Sequence, residues 1–537
     1  MEQPTSHSGT TSIVSHGDAE RRTSGAWSVF IGGQAAIGGN LFVALGLVVL
    51  AARGSAALCF AAAGVVFLLV GLATIELASA YPVAGGGHFF VQRALGDFWG
   101  FVAGSALLLD LTVGIALFAT ISASYVNTFS PALLGIEARE LSLHSEGLGQ
   151  VEWLWLIEAL VITGLLVAAN CRGSRERSGF GSAVGVAALT GLGILVTFGF
   201  LFAWRPEVLL RSLTIHDPGV KGFAYGLSLA IISFVGLQTI ASTAAECRRP
   251  ASVVPRPFIA LVLITLLFAV GISILAVGVL PEDPEGPARI FGHGEAPISA
   301  IANTIPFFGP AFAGVMAALA CAVLLASANS YFASLSRLMF SMGQRDALGD
   351  WARRIHPRLN VPLSGLVAFG CLLIVEILAA FLWPNAEPIE VLANMYAFGA
   401  TLAYALVMIA FIRLRFLEPH YPRPYKMPLS VPLWIRGKKC DLPILAIAGL
   451  AGVLLLFTLV IATHEIGRVA GSGWMLASIA YYIVFRKLRG IPLLGSVPRD
   501  WVEEQEAILR AAGEDDRADA YRRAMAKGGP ITPERSA

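Results

Sequence analysis

The chain reads as an all-α integral membrane protein, and three observations carry that reading. Its 537 residues are 56% hydrophobic and only 14% charged, with a mean hydropathy of +0.71, whereas soluble domains run to about a quarter charged. That much apolar surface does not fit one water-facing core, so the excess must face lipid. The sequence also holds about twelve apolar runs, each near the roughly 20 residues that cross a bilayer as helix. Runs so long and so continuously apolar exclude barrel strands, and lipid admits only helices and closed barrels, because every backbone polar group there needs an internal partner.

In chain order, residues 1–26 are polar and carry Asp18, Glu20, Arg21 and Arg22 without a short apolar core. They read as a cytoplasmic tail and not as a signal peptide. The apolar runs follow near 28–51, 56–80, 98–126, 152–170, 180–203, 222–243, 258–280, 308–340, 362–383, 388–412, 441–462 and 469–486. Beyond Gly490 no further span occurs, and Trp501 to Lys527 alternates charge with Ala and Leu in the manner of a solvated tail helix.

Lys and Arg concentrate in alternate connections. One set holds Arg93, Arg172–Arg177, Arg248–Arg256, Arg337–Arg358 and Arg413–Lys439, about 19 basic residues. The other holds about 7, including Arg53, Arg139, Arg205 and Arg289, among many acids. The richer set is expected in the cytoplasm, with both termini inside a multi-pass plasma (inner) membrane protein. The six cysteines show no CxxC or metal spacing and read as reduced thiols. A net charge of +2 offers no basic footprint for nucleic acid.

Two runs differ from ordinary lipid-facing helices. The first contains Ile37-Gly38-Gly39-Asn40 near its middle, and the sixth contains Ser233-Phe234-Val235-Gly236-Leu237-Gln238. Glycine weakens a helix and bares its backbone. A pair of interrupted helices at matching positions of two five-helix repeats marks the substrate site of many transporters. The expectation is two unwound spans whose free N–H groups meet a carboxylate and whose free C=O groups meet a cation. Close packing through small residues is the bland alternative.

Asp110 lies in Leu109-Asp110-Leu111-Thr112, about 13 residues or roughly 20 Å into the third run. A carboxylate at mid-depth costs free energy unless it holds a substrate amine, a metal cation, a coupling proton or a neighbouring span. Glu76 and Glu246 lie nearer the cytoplasmic face and are expected to pair with Arg93, Arg248 or Arg337. Glu158 and Glu376 are expected to be structural or at the lipid edge, and His88 a hydrogen-bonded loop residue. Gln238 has two readings, substrate contact or satisfaction of the unwound backbone.

These motifs resemble those of the amino acid–polyamine–organocation (APC) family of permeases. Ile37-Gly38-Gly39-Asn40-Leu41-Phe42-Val43 is similar to its first-helix glycine motif, and Glu76-Leu77-Ala78-Ser79-Ala80-Tyr81-Pro82 with Ala84–Gly87 to the end of its second helix. Phe234–Gln238, Ala245–Pro250 and Val254-Pro255-Arg256 resemble the sixth helix and following loop. Ser336-Arg337 through Gly343, Asp346 and Pro362 resemble the eighth helix and its loop, and Pro422–Pro428 the segment before the eleventh. The resemblance runs in order from about Trp27 to Lys487.

It implies two inverted five-helix repeats, 27–203 and 204–412, with two further helices in 413–489 between the tails 1–26 and 490–537. It implies secondary transport of amino acids or related small amines by alternating access. The substrate carboxylate would rest on backbone at Gly38 and Gly39, with Phe234 as an aromatic gate and Val235 and Gly236 on the unwound stretch. The third position of the first-helix motif, usually Gly in the family, is Asn40 here. Proton-coupled relatives often carry Lys in the fifth helix, where this chain has no charge and Thr190 lies nearby. No cofactor is expected, and a coupling ion, proton or sodium, is left open. The Leu-Asp stretch at Asp110 also resembles a branch with potassium importers, which keeps an inorganic-cation importer as the alternative.

Other classes fit less well. Gly179-Phe180-Gly181-Ser182-Ala183-Val184-Gly185 has the wrong spacing for a dinucleotide loop and no preceding strand. HExxH, P-loop and GxSxG motifs are absent, so no enzyme is expected, with no catalytic and no metal residues. The partners expected are a small-molecule substrate and the lipid bilayer, with no nucleic acid; the oligomeric state is left open.

Overall fold

The computed structural model describes residues 25–127, 129, 142–145, 149–172, 178–212, 219–279, 296–306, 309–359, 361–384, 386–435, 438–493 and 496–528. Most of the expected N-terminal tail, and Arg139, Arg175, Arg177 and Arg289, lie outside the described residues.

Every expected apolar run falls on a helix. The long helices are α1 (Ala26–Ala52), α2 (Ala56–Ala80), α4 (Asp97–Asn127), α5 (Trp153–Cys171), α6 (Ser178–Phe202), α11 (Pro255–Gly278), α13 (Gly309–Gln344), α14 (Leu363–Phe381), α15 (Pro388–Leu417), α16 (Ile444–Thr463) and α17 (Glu465–Leu488). The sixth run is split into α8 (Gly219–Ala230) and α9 (Leu237–Thr243). Short helices join them: α3 (Gly87–Leu95), α7 (Pro206–Ser212), α10 (Pro250–Val253) and α12 (Pro297–Asn303). Two antiparallel hairpins, Ser142–Ser145 with Gly149–Glu152 and Ser430–Ile435 with Lys438–Pro443, form connections. The chain ends in two polar helices, α18 (Trp501–Ala511) and α19 (Asp515–Gly528).

Ten stretches among the described residues are long and apolar enough to cross a membrane. Twelve runs reduce to ten because α1 and α2 form one stretch, Ala26–Ala80, and α17 falls short in apolarity. Leu165, Leu201, Leu267 and Leu476 each expose about two-thirds of their surface, an arrangement that suits a lipid surround and not water.

The axis of the bundle is α4, whose apolar window is buried throughout and which packs along α13 and α15. Glycine permits the tightest of these approaches: a Cβ on Gly399 of α15 would stand 3.0 Å from the Asp110 nitrogen and 3.2 Å from the Ala106 oxygen. Those are backbone atoms, which cannot rotate aside.

One end of the bundle is tied by buried ion pairs. Glu76 meets Arg415 at 2.5 Å and Arg423 at 3.0 Å and accepts the Met427 N–H at 2.7 Å. Arg93 instead pairs with Glu418 at 2.7 Å, which also accepts the Tyr81 hydroxyl. The expected Glu76–Arg93 pairing is thereby corrected: the last turn of α15 delivers Arg415 to Glu76, and Glu418 just beyond it takes Arg93. The expected Glu246–Arg337 pair does form, at 2.8 Å and near the surface. His88 is hydrogen-bonded, with Nδ1 2.7 Å from the Gly100 carbonyl, but it lies inside α3 and not in a loop. Burial holds its ring neutral and pushes its pKa down to about 4.

The tail departs most from expectation. Far from being a solvated helix, it buries Gln505, Ile508, Leu509, Ala518 and Tyr521 against the ion-paired end.

Gly399→Val is expected to destabilise the fold by about 1–3 kcal/mol, the usual result of forcing atoms into a packed core. Its melting temperature in detergent should fall below that of Gly365→Ala, whose added methyl meets only the flexible Met339 side chain.

Candidate functional site

The sixth run breaks where its sequence is weakest. Helix α8 ends at Ala230, Ile231–Phe234 form a 3-10 turn, Val235 is extended and α9 begins after Gly236. Gly236 is left-handed at φ 115, a conformation that glycine adopts without strain. It also lies against α1, where a Cβ would stand 3.2 Å from Ile37 and 3.4 Å from the Ala36 carbonyl.

A break in a low-dielectric core frees backbone polar groups that must find partners. Asn40 Nδ2 donates to the Val235 carbonyl at 2.8 Å, and the Gly236 N–H donates to the Tyr404 hydroxyl at 3.2 Å. Asn40 Nδ2 also lies 3.2 Å from the Tyr331 hydroxyl, while the Tyr396 hydroxyl donates to Asn40 Oδ1 at 2.9 Å. The two tyrosine hydroxyls are 2.6 Å apart. This gives a role to the asparagine at the third position of the first-helix motif: a glycine there would have no side chain with which to hold the broken helix.

The first run is not unwound. Helix α1 continues from Ala26 to Ala52 through Gly38, Gly39 and Asn40. Its glycines instead admit α13. The Ser327 hydroxyl donates to the Ala35 carbonyl at 2.5 Å and accepts the Gly39 N–H at 3.1 Å. Those two backbone groups are an i, i+4 pair of α1, so one side chain stands within the helical ladder without ending it. Gly39 must lack a side chain because a Cβ would lie 2.5 Å from that hydroxyl.

Asp110 completes the site. It is 2% exposed, and its Oδ1 has no hydrogen-bond partner. Tyr331, Tyr396 and Tyr404 are its electrostatic neighbours. A buried carboxyl with three tyrosines for electrostatic neighbours and no cation beside it among the described residues suits a ligand that brings positive charge, or a proton.

The structure therefore brings Ile37, Gly39, Asn40, Val235, Gly236 and Asp110 into one neighbourhood. Gly38 lines a side cavity with Gln34, Leu192 and Thr265, which Ile37 borders as well. Phe234 stacks on Phe67 of α2 with ring centroids 4.9 Å apart. Gln238 points at α3, where a Cβ on Gly87 would stand 2.7 Å from its Oε1. Ser233 is buried, and its hydroxyl has no partner. Thr190 is exposed and bonds back to Val186, so it does not face this site. Glu376 is buried and accepts the Thr112 hydroxyl at 2.8 Å, which makes it structural and not lipid-edge.

Sequence reading missed Ser327, Tyr331, Tyr396 and Tyr404. The available signal was spacing: Ser327 and Tyr331 lie four apart, and Tyr396 and Tyr404 eight apart, which puts each pair on one helix face.

Comparison with known proteins follows the same lines. The model of the amino acid permease family matches residues 25–485. Cationic amino acid transporter 4 of Mus musculus is 28% identical over 399 residues, covering 73% of this chain and 59% of its own length. Its Homo sapiens counterpart is 27% identical with the same coverage, so the chain spans about three-fifths of the length of these two relatives. The branched-chain amino acid permease BcaP of Bacillus subtilis (strain 168) is 23% identical over 473 residues, 87% of this chain and 93% of its own.

Asn40→Ala orphans the Val235 carbonyl, a loss of about 1–3 kcal/mol in a buried setting, and leaves the Tyr396 hydroxyl with Tyr331 as its partner. It is expected to lower the melting temperature more than Asn40→Gln, and Tyr404→Phe should lower it too, since it removes the hydroxyl that meets the Gly236 and Leu237 backbone.

Proposed function

We propose, because this chain belongs to the amino acid permease family, that it is a secondary transporter of amino acids or related small amines, working by alternating access. Asp110 carries the reading. It is a buried, cation-free carboxyl among three tyrosines, beside a broken helix, and it is the group that receives the substrate's ammonium. Gly39 supplies the complementary donor. Its N–H now meets the Ser327 hydroxyl, and a substrate carboxylate oxygen takes the place of that hydroxyl. Asn40, Tyr396 and Tyr404 hold the break in shape while the substrate enters, so the charged groups are preorganised.

The names of the mouse and human relatives put cationic amino acids among the substrates to be tried, and that of the Bacillus relative adds branched-chain ones. Alternating access requires the segments around the break to rock against the remaining helices about a fixed mid-depth site. The arginine-rich end, with Arg93, Arg345 and Arg415, is the cytoplasmic one, because basic residues concentrate there.

Counterflow in proteoliposomes with labelled arginine, lysine, leucine, putrescine and potassium tests the assignment. Asp110→Asn is expected to raise the half-saturation concentration on the order of 10- to 100-fold, since a hydrogen bond to a charged group is worth about 1.5–3 kcal/mol. Loss of pH-driven accumulation with intact exchange would instead make Asp110 the proton carrier. Potassium flux that Asp110→Asn abolishes, with every organic substrate inert, would replace the proposal by a cation importer. For orientation, Arg354→Cys should resist an impermeant thiol reagent applied outside intact cells; strong labelling there would invert the topology.

A further inference from the structure

The C-terminal segment is anchored too widely to be a passive appendage. Asp97 at the start of α4 pairs with Arg499 at 2.6 Å and accepts the Val497 N–H at 3.0 Å. Asp500 caps α18 by accepting the N–H groups of Val502 and Glu503 at 2.9 Å each. The Trp501 ring packs edge-on against Phe89 of α3, with the guanidinium groups of Arg93 and Arg345 over it at 5.3 and 5.8 Å. Glu504 pairs with Arg345 just beyond α13, and both are buried. Gln505 donates to the Ala80 carbonyl at the end of α2 and to the Tyr421 hydroxyl after α15. Arg93 in turn donates to the Tyr521 hydroxyl of α19 at 3.1 Å.

A second set of anchors reaches the segment that follows the broken helix. The Arg249 N–H donates to the Ala512 carbonyl at 2.9 Å, and the Ala251 N–H to Glu514 Oε1 at 2.7 Å. Only a short 3-10 turn, Ala244–Glu246, and three residues separate α9 from α10, so these bonds grip the moving side of the break. The tail thus ties α10 to α13, α15 and the start of α4. For this end to open, α9 must part from α13, where Ser242 and Ser334 now meet at 3.4 Å and Glu246 bonds Arg337. A segment bonded to both sides of that seam cannot keep all its anchors as the seam widens. Its contacts join apolar packing of Ile508, Leu509, Ala518 and Tyr521 to a set of polar, charge-assisted bonds, and a polar share of that kind belongs to interfaces that release and re-form.

We propose that Val497–Gly528 is an autoinhibitory latch: docked, it holds the arginine-rich end closed, and its release precedes opening toward that side. This rests on the transporter reading above. The residues that face the latch from the bundle are Arg93, Asp97, Arg345, Glu418, Tyr421 and the Arg249–Ala251 backbone.

Two experiments test it on the full chain. Glu504→Lys sets like charges against Arg345 and displaces the tail without touching the bundle. In a background whose six cysteines are replaced by serine, a Cys at Ser334 should then react several-fold faster with a thiol reagent applied from the arginine-rich side, and initial exchange rates should rise. Separately, a disulfide between Ala251→Cys and Glu514→Cys should abolish exchange when oxidised and restore it when reduced. This second arm keeps the tail's other contacts and stands even if Glu504→Lys folds poorly. Unchanged Ser334 labelling in folded Glu504→Lys protein, or exchange that survives the cross-link, overturns the latch and makes the tail a fixed brace. Labelling needs no substrate, so a wild-type protein that moves none of the tested amino acids would fail the functional proposal while the latch is still read.

Discussion

The arrangement of the core depends on one requirement: a helix broken inside a low-dielectric bundle must have its freed carbonyl and N–H groups met by other groups. Val235 and Gly236 create the need, and side chains from two other helices meet it. Asn40 reaches from α1 to the Val235 carbonyl, and Tyr404 reaches from α15 to the Gly236 N–H. Tyr396 and Tyr331 then hold Asn40 by its amide. Once those tyrosines are fixed, Gly114 follows, since a Cβ there would stand 2.8 Å from Tyr331 and 2.9 Å from Tyr396. Asp110 is held in a polar neighbourhood that contains no cation. The break is therefore a cause of the site's composition as well as part of it.

Charge is treated in opposite ways at the two levels of the bundle. Within the bundle core Asp110 stands without an ionic partner among the described residues. At the arginine-rich end, Glu76, Asp97, Glu418 and Glu504 are each matched to one or two arginines and further hydrogen-bonded. Buried pairs add little net stability, because desolvation offsets much of the attraction, but removing one partner is costly. Such a cluster works better as a device that specifies one closed geometry than as general glue. Burial in this cluster lowers the Arg345 pKa, partly offset by Glu504, while Glu418 contributes to raising that of Arg93.

Much of the architecture was readable from pattern alone. Long apolar runs have only helix available to them in lipid, and a left-handed residue in a helical run calls for glycine, so the helices and the Gly236 break could be found without partners in view. The first helix was misread because glycine there serves a different need. Gly39 leaves room for Ser327, which lies 288 residues away, and no local signal separates a glycine that unwinds a helix from one that admits a neighbour. The four hydroxyl residues were passed over for the same reason, since their meaning lies in which helix they face. The tail was read as solvated because its charge alternation is also what an interface of ion pairs needs. Arg345 was counted only toward orientation, and Asp97, at the edge of an apolar run, carried no signal of a partner in the tail.

The shared hydroxyl of Ser327 gives α1 a kind of joint that α8 and α9 lack. An intact backbone bond either holds or is lost as a helix flexes, whereas a hydroxyl bridging Ala35 and Gly39 can follow both ends through several tenths of an ångström. The two helices that meet at Asn40 therefore differ in construction: one is in two pieces, the other is a single rod with one side-chain-bridged turn. The bridged turn lies one residue from Asn40, the residue that holds both helices together.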